Sequence, residues 1–214
     1  MTERRYTNKY PSITMVLGVL RKLGLEMWFK NNTAQYCDEE SRKGKTIGTQ
    51  IHNLIQNLIV DKPTTIQTDY EEEVKNAVQS FVAFRKDNPN LKLEVAELKM
   101  TSEKYKVNGT LDCLGVMNNK LVIFDWKTGK TKDGKPPEIF DEYVIQVSAY
   151  VNLYNEIYKT CVDEAVIISL AKNEVKYNIE IVNKETINLA FNNIFLPALI
   201  IYNNLKDLKK LRIK

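Results

Sequence analysis

The stretch Gly109–Lys127, GTLDCLGVMNNKLVIFDWK, constrains the fold more than any other part of the chain. Two apolar, β-branched runs flank Asn118-Asn119. Asparagine tolerates positive φ better than most residues, so this pair suits a two-residue hairpin turn. That turn sets the register: Leu114 faces Ile123, Val116 faces Leu121, and Asp112 faces Asp125. Side-chain alternation puts these residues on one face, with Thr110 and Lys127 beside them. The other face carries Leu111, Cys113, Val122, Phe124 and Trp126. Two largely apolar faces predict a sheet covered on both sides.

Asp112, Asp125 and Lys127 then need a reason to sit at the end of an apolar face. Like charges directly opposed on paired strands are destabilising. Two accounts fit. A divalent cation would take carboxylate oxygens and cancel their repulsion. Alternatively, Lys127 neutralises one aspartate in a local ion-pair network. The hairpin alone leaves both open.

The rest of the chain reads as a scaffold around this hairpin. Its 214 residues, 43% hydrophobic, suffice for one sizeable core. No apolar run approaches the roughly 18–20 residues of a membrane span, so no membrane partner is expected. The opening MTERRYTNKY lacks the apolar stretch of a secretory signal. Cys37, Cys113 and Cys161 are isolated, which speaks against a disulfide framework and against zinc or iron–sulfur sites, and points to a reducing, intracellular compartment. The net charge of +4 is compatible with a nucleic-acid partner.

In chain order, Pro11-Ser12 opens a predicted helix with Ile13, Val16, Leu17, Leu20, Leu23 and Leu25 on its apolar face, running to about Phe29. Trp28 near its end is read as a core aromatic. Residues 31–40 read as a loop, and Ser41 caps a second helix, Arg42 to Val60. His52, the single histidine, lies one turn after Gly48 on that helix. A glycine inside a helix suggests close approach to its backbone. Asp69 with Glu72 suits a capping box for a third helix ending near Lys86. Leu91 to Met100 alternates as a strand, with Glu97 in phase with Leu91, Leu93 and Val95. The hairpin strands follow, about Tyr105–Met117 and Lys120–Lys127, and then the polar, mobile-looking loop TGKTKDGKPP. Asp141 to Lys159 is an amphipathic helix with Gln146 and Tyr150 on one face. A second hairpin spans Asp163–Ala171 and Glu174–Val182. The last helix, about Lys184 to Leu211, is interrupted at Pro197. The expected fold class is α/β: a mixed central sheet flanked by helices. One domain is expected, with a helical layer at about 11–88, a core at 91–183 and a closing helix at 184–214.

These residues resemble a known family. An acidic residue in GTLD followed by a strand ending in DWK is similar to the signature of the PD-(D/E)xK nuclease superfamily, which implies its restriction-endonuclease-like core. Gly48–His52 as GxxxH and Gln146–Tyr150 as QxxxY resemble the RecB-like exonuclease branch. PSITMVL, DWKTGK and IQVSAY look most similar to the mitochondrial genome maintenance exonuclease group and related phage and bacterial single-strand exonucleases. Relatives in CRISPR adaptation and AddB-type helicase–nucleases carry four iron–sulfur cysteines. This chain lacks them, so no iron–sulfur cluster is expected.

The resemblance implies a set of roles. Asp112, Asp125, His52 and the carbonyl of Trp126 would hold Mg²⁺ or Mn²⁺. Glu97 would bind a second metal or orient water, and Lys127 would stabilise hydroxide and developing phosphoryl charge. Gln146 and Tyr150 would hold the scissile phosphate or the carboxylates. Lys130, Lys132 and Lys135 would touch the substrate. The expected activity is metal-dependent DNA hydrolysis, with single-stranded DNA carrying a free end as the partner and the cytoplasm as the site of action. The competing expectations are a phage-type double-strand recombination exonuclease, a binding module without turnover, and an unrelated helical binding protein.

Overall fold

The computed structural model of the chain describes residues 9–62, 64 and 71–212. Its strands are β1 (Lys92–Ser102), β2 (Val107–Met117), β3 (Lys120–Gly129), β4 (Ala165–Ala171) and β5 (Tyr177–Val182). Its helices are α1 (Ile13–Leu17), α2 (Leu23–Asn31), α3 (Ala34–Ile59), α4 (Glu72–Asp87), α5 (Asp141–Tyr158), α6 (Lys184–Leu189) and α7 (Leu196–Arg212), with a π-helical turn at Ala190–Phe195 between the last two. The five strands form one sheet in the order β1-β2-β3-β4-β5. Only β3 and β4 are parallel, joined by the α5 crossover; the other neighbours are antiparallel. This is the expected mixed sheet between helices.

Each face has its own core. On one, α1, α5 and the C-terminal helices pack against Met100, Val107, Leu111, Leu114 and Ile123. On the other, α3 and α4 cover Cys113, Val122, Phe124, Trp126 and Ile168. Helix α5 lies between the sheet and the C-terminal helices, and its buried residues therefore surround its axis rather than forming one stripe.

The hairpin turn is as expected. Asn118 and Asn119 have φ of 51° and 61°, the pair of positive values that a tight primed turn needs. Leu114 pairs with Ile123 and Val116 with Leu121. Regular pairing stops at Cys113–Phe124, one residue short of the two aspartates. There the Trp126 N–H donates to Asp112 Oδ2 at 2.8 Å, so a side chain satisfies a buried backbone donor in place of a strand partner.

Alternation also changes phase here, which corrects two expectations. Leu111 shares a core with Leu114 and Ile123, not with Cys113. On β1, Leu93 and Ala96 lean toward the α3–α4 core, whereas Val95 and Leu98 lean toward the α5 core. Val95 pairs with Leu114 and Leu98 with Leu111. Between these pairs stand Glu97 and Asp112. Glu97 adopts φ of 54°, a left-handed conformation costing a non-glycine residue about 1–2 kcal/mol. One such residue breaks the two-residue period between Val95 and Leu98, and β2 shifts with it between Leu114 and Leu111; the earlier switch between Leu93 and Val95 falls at a register irregularity of β1 against β2.

The N-terminal helices are also corrected. The first predicted helix divides into α1 and α2, because the Gly18 N–H turns back onto Met15 and Val16 carbonyls and closes α1. Ser12 does cap α1, its hydroxyl accepting from the Met15 N–H. No residue of α2 is fully buried, and Trp28 is only half-buried, so it is not a core aromatic. The predicted 31–40 loop is helical: Thr33, not Ser41, caps α3 by accepting from the Tyr36 N–H. Asp69 of the expected capping box lies outside the described residues. Near the C-terminus the irregularity precedes Pro197 as the π-turn. Proline removes a donor and crowds the preceding turn, and a wider turn accommodates that.

Candidate active site

Trp126 decides which way its neighbours point. Its indole is 2% exposed and packs against Phe81, Phe84 and Phe124 at centroid distances of 5.2, 6.2 and 6.0 Å. Aromatic pairs of this kind each add about 0.5–1.5 kcal/mol beyond their buried area. With Trp126 held in the α3–α4 core, alternation sends Asp125 and Lys127 to the α5 side. Asp125 is fully buried. Its Oδ2 lies 2.6 Å from Lys127 Nζ; neither carboxylate oxygen otherwise has a hydrogen-bond partner among the described residues.

Helix α5 completes the surroundings of Lys127. Its Nζ donates to Gln146 Oε1 at 3.1 Å, and Gln146 Nε2 donates to the Tyr150 hydroxyl at 2.8 Å. The Tyr150 ring lies against β2 because Gly109 has no side chain; a Cβ there would stand 3.1 Å from the ring. Burial tends to discharge Lys127, but Asp125 and Asp112 outweigh it and hold its pKa above the usual lysine value. Burial, with the same two carboxylates, pushes the Tyr150 phenol well up.

Across the sheet opening stand His52, Glu97 and Asp112. His52 Nδ1 is 3.7 Å from Asp112 Oδ1 and 3.9 Å from Glu97 Oε1. Burial lowers the His52 pKa, yet Glu97, Asp112 and Asp125 more than reverse this and the net shift is upward. Burial, reinforced by the charge of Asp125, pushes the Asp112 carboxyl up to about 7. Such crowding of acids is the environment a cation relieves. One ligand atom from each of His52, Glu97 and Asp112 falls within 4.8 Å of the others. Donors lie roughly 2.0–2.6 Å from a bound divalent ion, so this spacing fits a shared ion. The unpartnered Asp125 Oδ1 is a further buried acceptor of the right chemistry.

The expected metal set and this cluster differ in one member. Glu97 joins His52 and Asp112, while Asp125 turns to Lys127, the nearest positive charge. The Trp126 N–H faces Asp112, and strand geometry places its carbonyl on the same edge. The loop lysines stand apart. Lys130 pairs with Glu73 of α4 at 3.2 Å, and Lys132 and Lys135 are exposed. None of the three is within ion-pair distance of Glu97, Asp112 or Asp125. Within the loop, Lys132 and Lys135 bridge around Asp133-Gly134, and the Thr131 N–H donates to Asn173 Oδ1 at 2.9 Å. Gly48 has open space where a Cβ would stand, so no part of the described chain approaches it closely. Cys113 is fully buried, and burial pushes its thiol up to about 12.

One site residue escaped the sequence reading. The Lys127 ammonium lies 5.0 Å from the ring centroid of Tyr143. The signal was present: Tyr143, Gln146 and Tyr150 are spaced i, i+3, i+7 and share a helix face.

A family model of the PD-(D/E)XK nuclease superfamily matches residues 21–200. One of the subunits of the ATP-dependent helicase/nuclease from Streptococcus pyogenes serotype M5 (strain Manfredo) is 30% identical over 148 residues. That match covers 56% of this chain but only 12% of the relative's length. A putative exonuclease from Eubacterium rectale has a similar fold, with a TM-score of 0.53 at 13% identity over 95% of this chain and 86% of that one. An alkaline exonuclease from Laribacter hongkongensis aligns with a TM-score of 0.43 at 12% identity, over 96% of this chain and 95% of that one. Because that family model matches residues 21–200 of the 214, the chain belongs to the PD-(D/E)XK nuclease superfamily.

Proposed function

We propose that this protein is a Mg²⁺- or Mn²⁺-dependent deoxyribonuclease that degrades single-stranded DNA from a free end in the cytoplasm. The carrying observation is that His52, Glu97, Asp112, Asp125 and Lys127 gather where regular strand pairing ends. Five ionisable side chains in one half-buried place, one of them the fully buried Asp125 carboxylate, are costly for stability alone. In this reading His52, Glu97, Asp112, Asp125 and the Trp126 carbonyl supply the metal ligands. A bound divalent ion would make its water acidic and clamp phosphoryl oxygens.

The chain's own groups do the rest. Lys127 places a compact, permanent positive charge beside the scissile phosphate and stabilises the charge that develops on it. Gln146 fixes the direction of that ammonium. Tyr150, kept protonated by its surroundings, orients Gln146. Glu97 positions the attacking water. The phosphodiester is hydrolysed without a covalent enzyme intermediate, and the burial and high pKa of Cys113 agree with that. Lys132 and Lys135, exposed at their turn, track the sugar–phosphate backbone, as in other sequence-independent single-strand grooves. All of this fits one nuclease domain, with the helices before β1 as a wall beside the site.

The test is degradation of labelled DNA with Mg²⁺, with Mn²⁺ and with EDTA, comparing linear single-stranded, circular single-stranded and blunt duplex substrates at one salt concentration. Linear single strands should disappear fastest, and only with metal. Equal loss of circles would remove the end requirement. Faster digestion of blunt duplex would make the protein a double-strand recombination exonuclease. No cleavage under any condition would leave a binding module on a nuclease fold.

A further inference from the structure

We infer that Tyr143 is a positioning residue for Lys127, holding the ammonium with its aromatic face. This rests on the nuclease reading above for its purpose, though not for its geometry. An ammonium has three N–H donors and no acceptor. Asp125 Oδ2 at 2.6 Å and Gln146 Oε1 at 3.1 Å each engage the Lys127 ammonium. The Tyr143 ring, with its centroid 5.0 Å from Nζ, attracts the charge through its quadrupole and engages no donor in a conventional hydrogen bond. That distinction matters for catalysis. When Asp125 commits its charge to a cation, its hold on Lys127 weakens, and Gln146 alone leaves a long, flexible side chain free to swing. A ring face keeps the ammonium in place while leaving N–H donors for the phosphate. Replacing the ring by another hydrogen-bond acceptor would occupy a donor that the phosphate needs.

The ring is itself held. Phe140, the residue preceding α5, packs edge-on against it at 5.5 Å with an interplanar angle of 70°. The Tyr143 N–H donates to the Phe140 carbonyl at 2.8 Å. The Tyr143 hydroxyl has no hydrogen-bond partner among the described residues, so phenylalanine is a clean conservative replacement.

The experiment compares Tyr143→Phe and Tyr143→Leu, with pentafluorophenylalanine at the same position as a third variant. The fluorinated ring keeps the shape, so it folds as the phenylalanine variant does, but it reverses the quadrupole. Two readouts are taken: kcat and KM on single-stranded DNA with metal, and the NMR signal of the Lys127 ammonium in metal-free, isotope-labelled protein, assigned by its loss in Lys127→Ala. The phenylalanine variant should keep both within about twofold. The leucine and pentafluoro variants should lose roughly 3- to 30-fold in kcat with KM little changed, and the ammonium signal should broaden or vanish. A pentafluoro variant equal to phenylalanine would overturn the inference, as would a phenylalanine variant as impaired as leucine. If the wild-type protein cuts no DNA, the nuclease reading fails, and the ammonium signal still decides whether the ring holds Lys127.

Discussion

At the turn end of the β2–β3 hairpin, Met117 pairs with Lys120, and the ladder continues without a fault to Cys113–Phe124. At the other end the ladder stops, a carboxylate takes a backbone N–H, and Glu97 on the neighbouring strand flips to positive φ. The two ends are built from the same two strands. One satisfies its backbone groups with each other and places apolar side chains in two cores. The other leaves ladder positions to side chains, and there the charges collect. The contrast teaches that unbroken β2–β3 pairing and ionisable side chains are separated along one hairpin: the first lies near the turn, and the second lie where that pairing gives out.

The separation can be broken from either end, and four expected outcomes test it. The largest is at the open end. Asp125→Asn should lower DNA cleavage on the order of a thousandfold while leaving the far-ultraviolet circular dichroism unchanged. A variant that unfolds instead would make Asp125 a structural partner of Lys127 and erase the contrast. Next, Lys127→Ala should lower kcat roughly a hundredfold with little change in DNA affinity, measured by single-turnover cleavage and by filter binding, because its interaction is made in the transition state. An equal loss in affinity would reassign Lys127 to ground-state binding.

The third outcome concerns the turn. Asn119→Val places a β-branched residue at φ of 61° and should cost about 1–2 kcal/mol in denaturant unfolding, with cleavage by the folded fraction unchanged. The smallest effect sharpens the comparison through pH. Asp112 has a folded pKa of about 7 against an ordinary 3.8. Between those values the folded protein keeps a proton that the unfolded chain has lost, so metal-free stability should fall as pH rises through that window. Urea unfolding in EDTA across that range should show the fall in the wild type and a flatter profile in Asp112→Asn. Equal slopes would mean that Asp112 is not the group responsible.

Much of this arrangement was legible in the residues alone. Asn118-Asn119 determined the turn and the register of Leu114 with Ile123, because both depend on local backbone preferences and a two-residue period. GTLD, DWK, GxxxH and QxxxY singled out residues that the structure does bring together. The sequence could not show the left-handed Glu97, since no propensity favours it there; the surrounding strands impose it, and through it Glu97 lies near His52 and Leu111 changes core. The division of the first helix and the start of α3 at Ala34 were hidden because helical periodicity alone does not show where a helix is capped. That Lys130 stands beside Glu73 was likewise set by tertiary packing. Which cation a carboxylate such as Asp112 or Glu73 faces is decided by distances between residues far apart in the chain, His52 for the first and Lys130 for the second. Charge pairing acts through space, and only the folded arrangement of sheet and helices determines it.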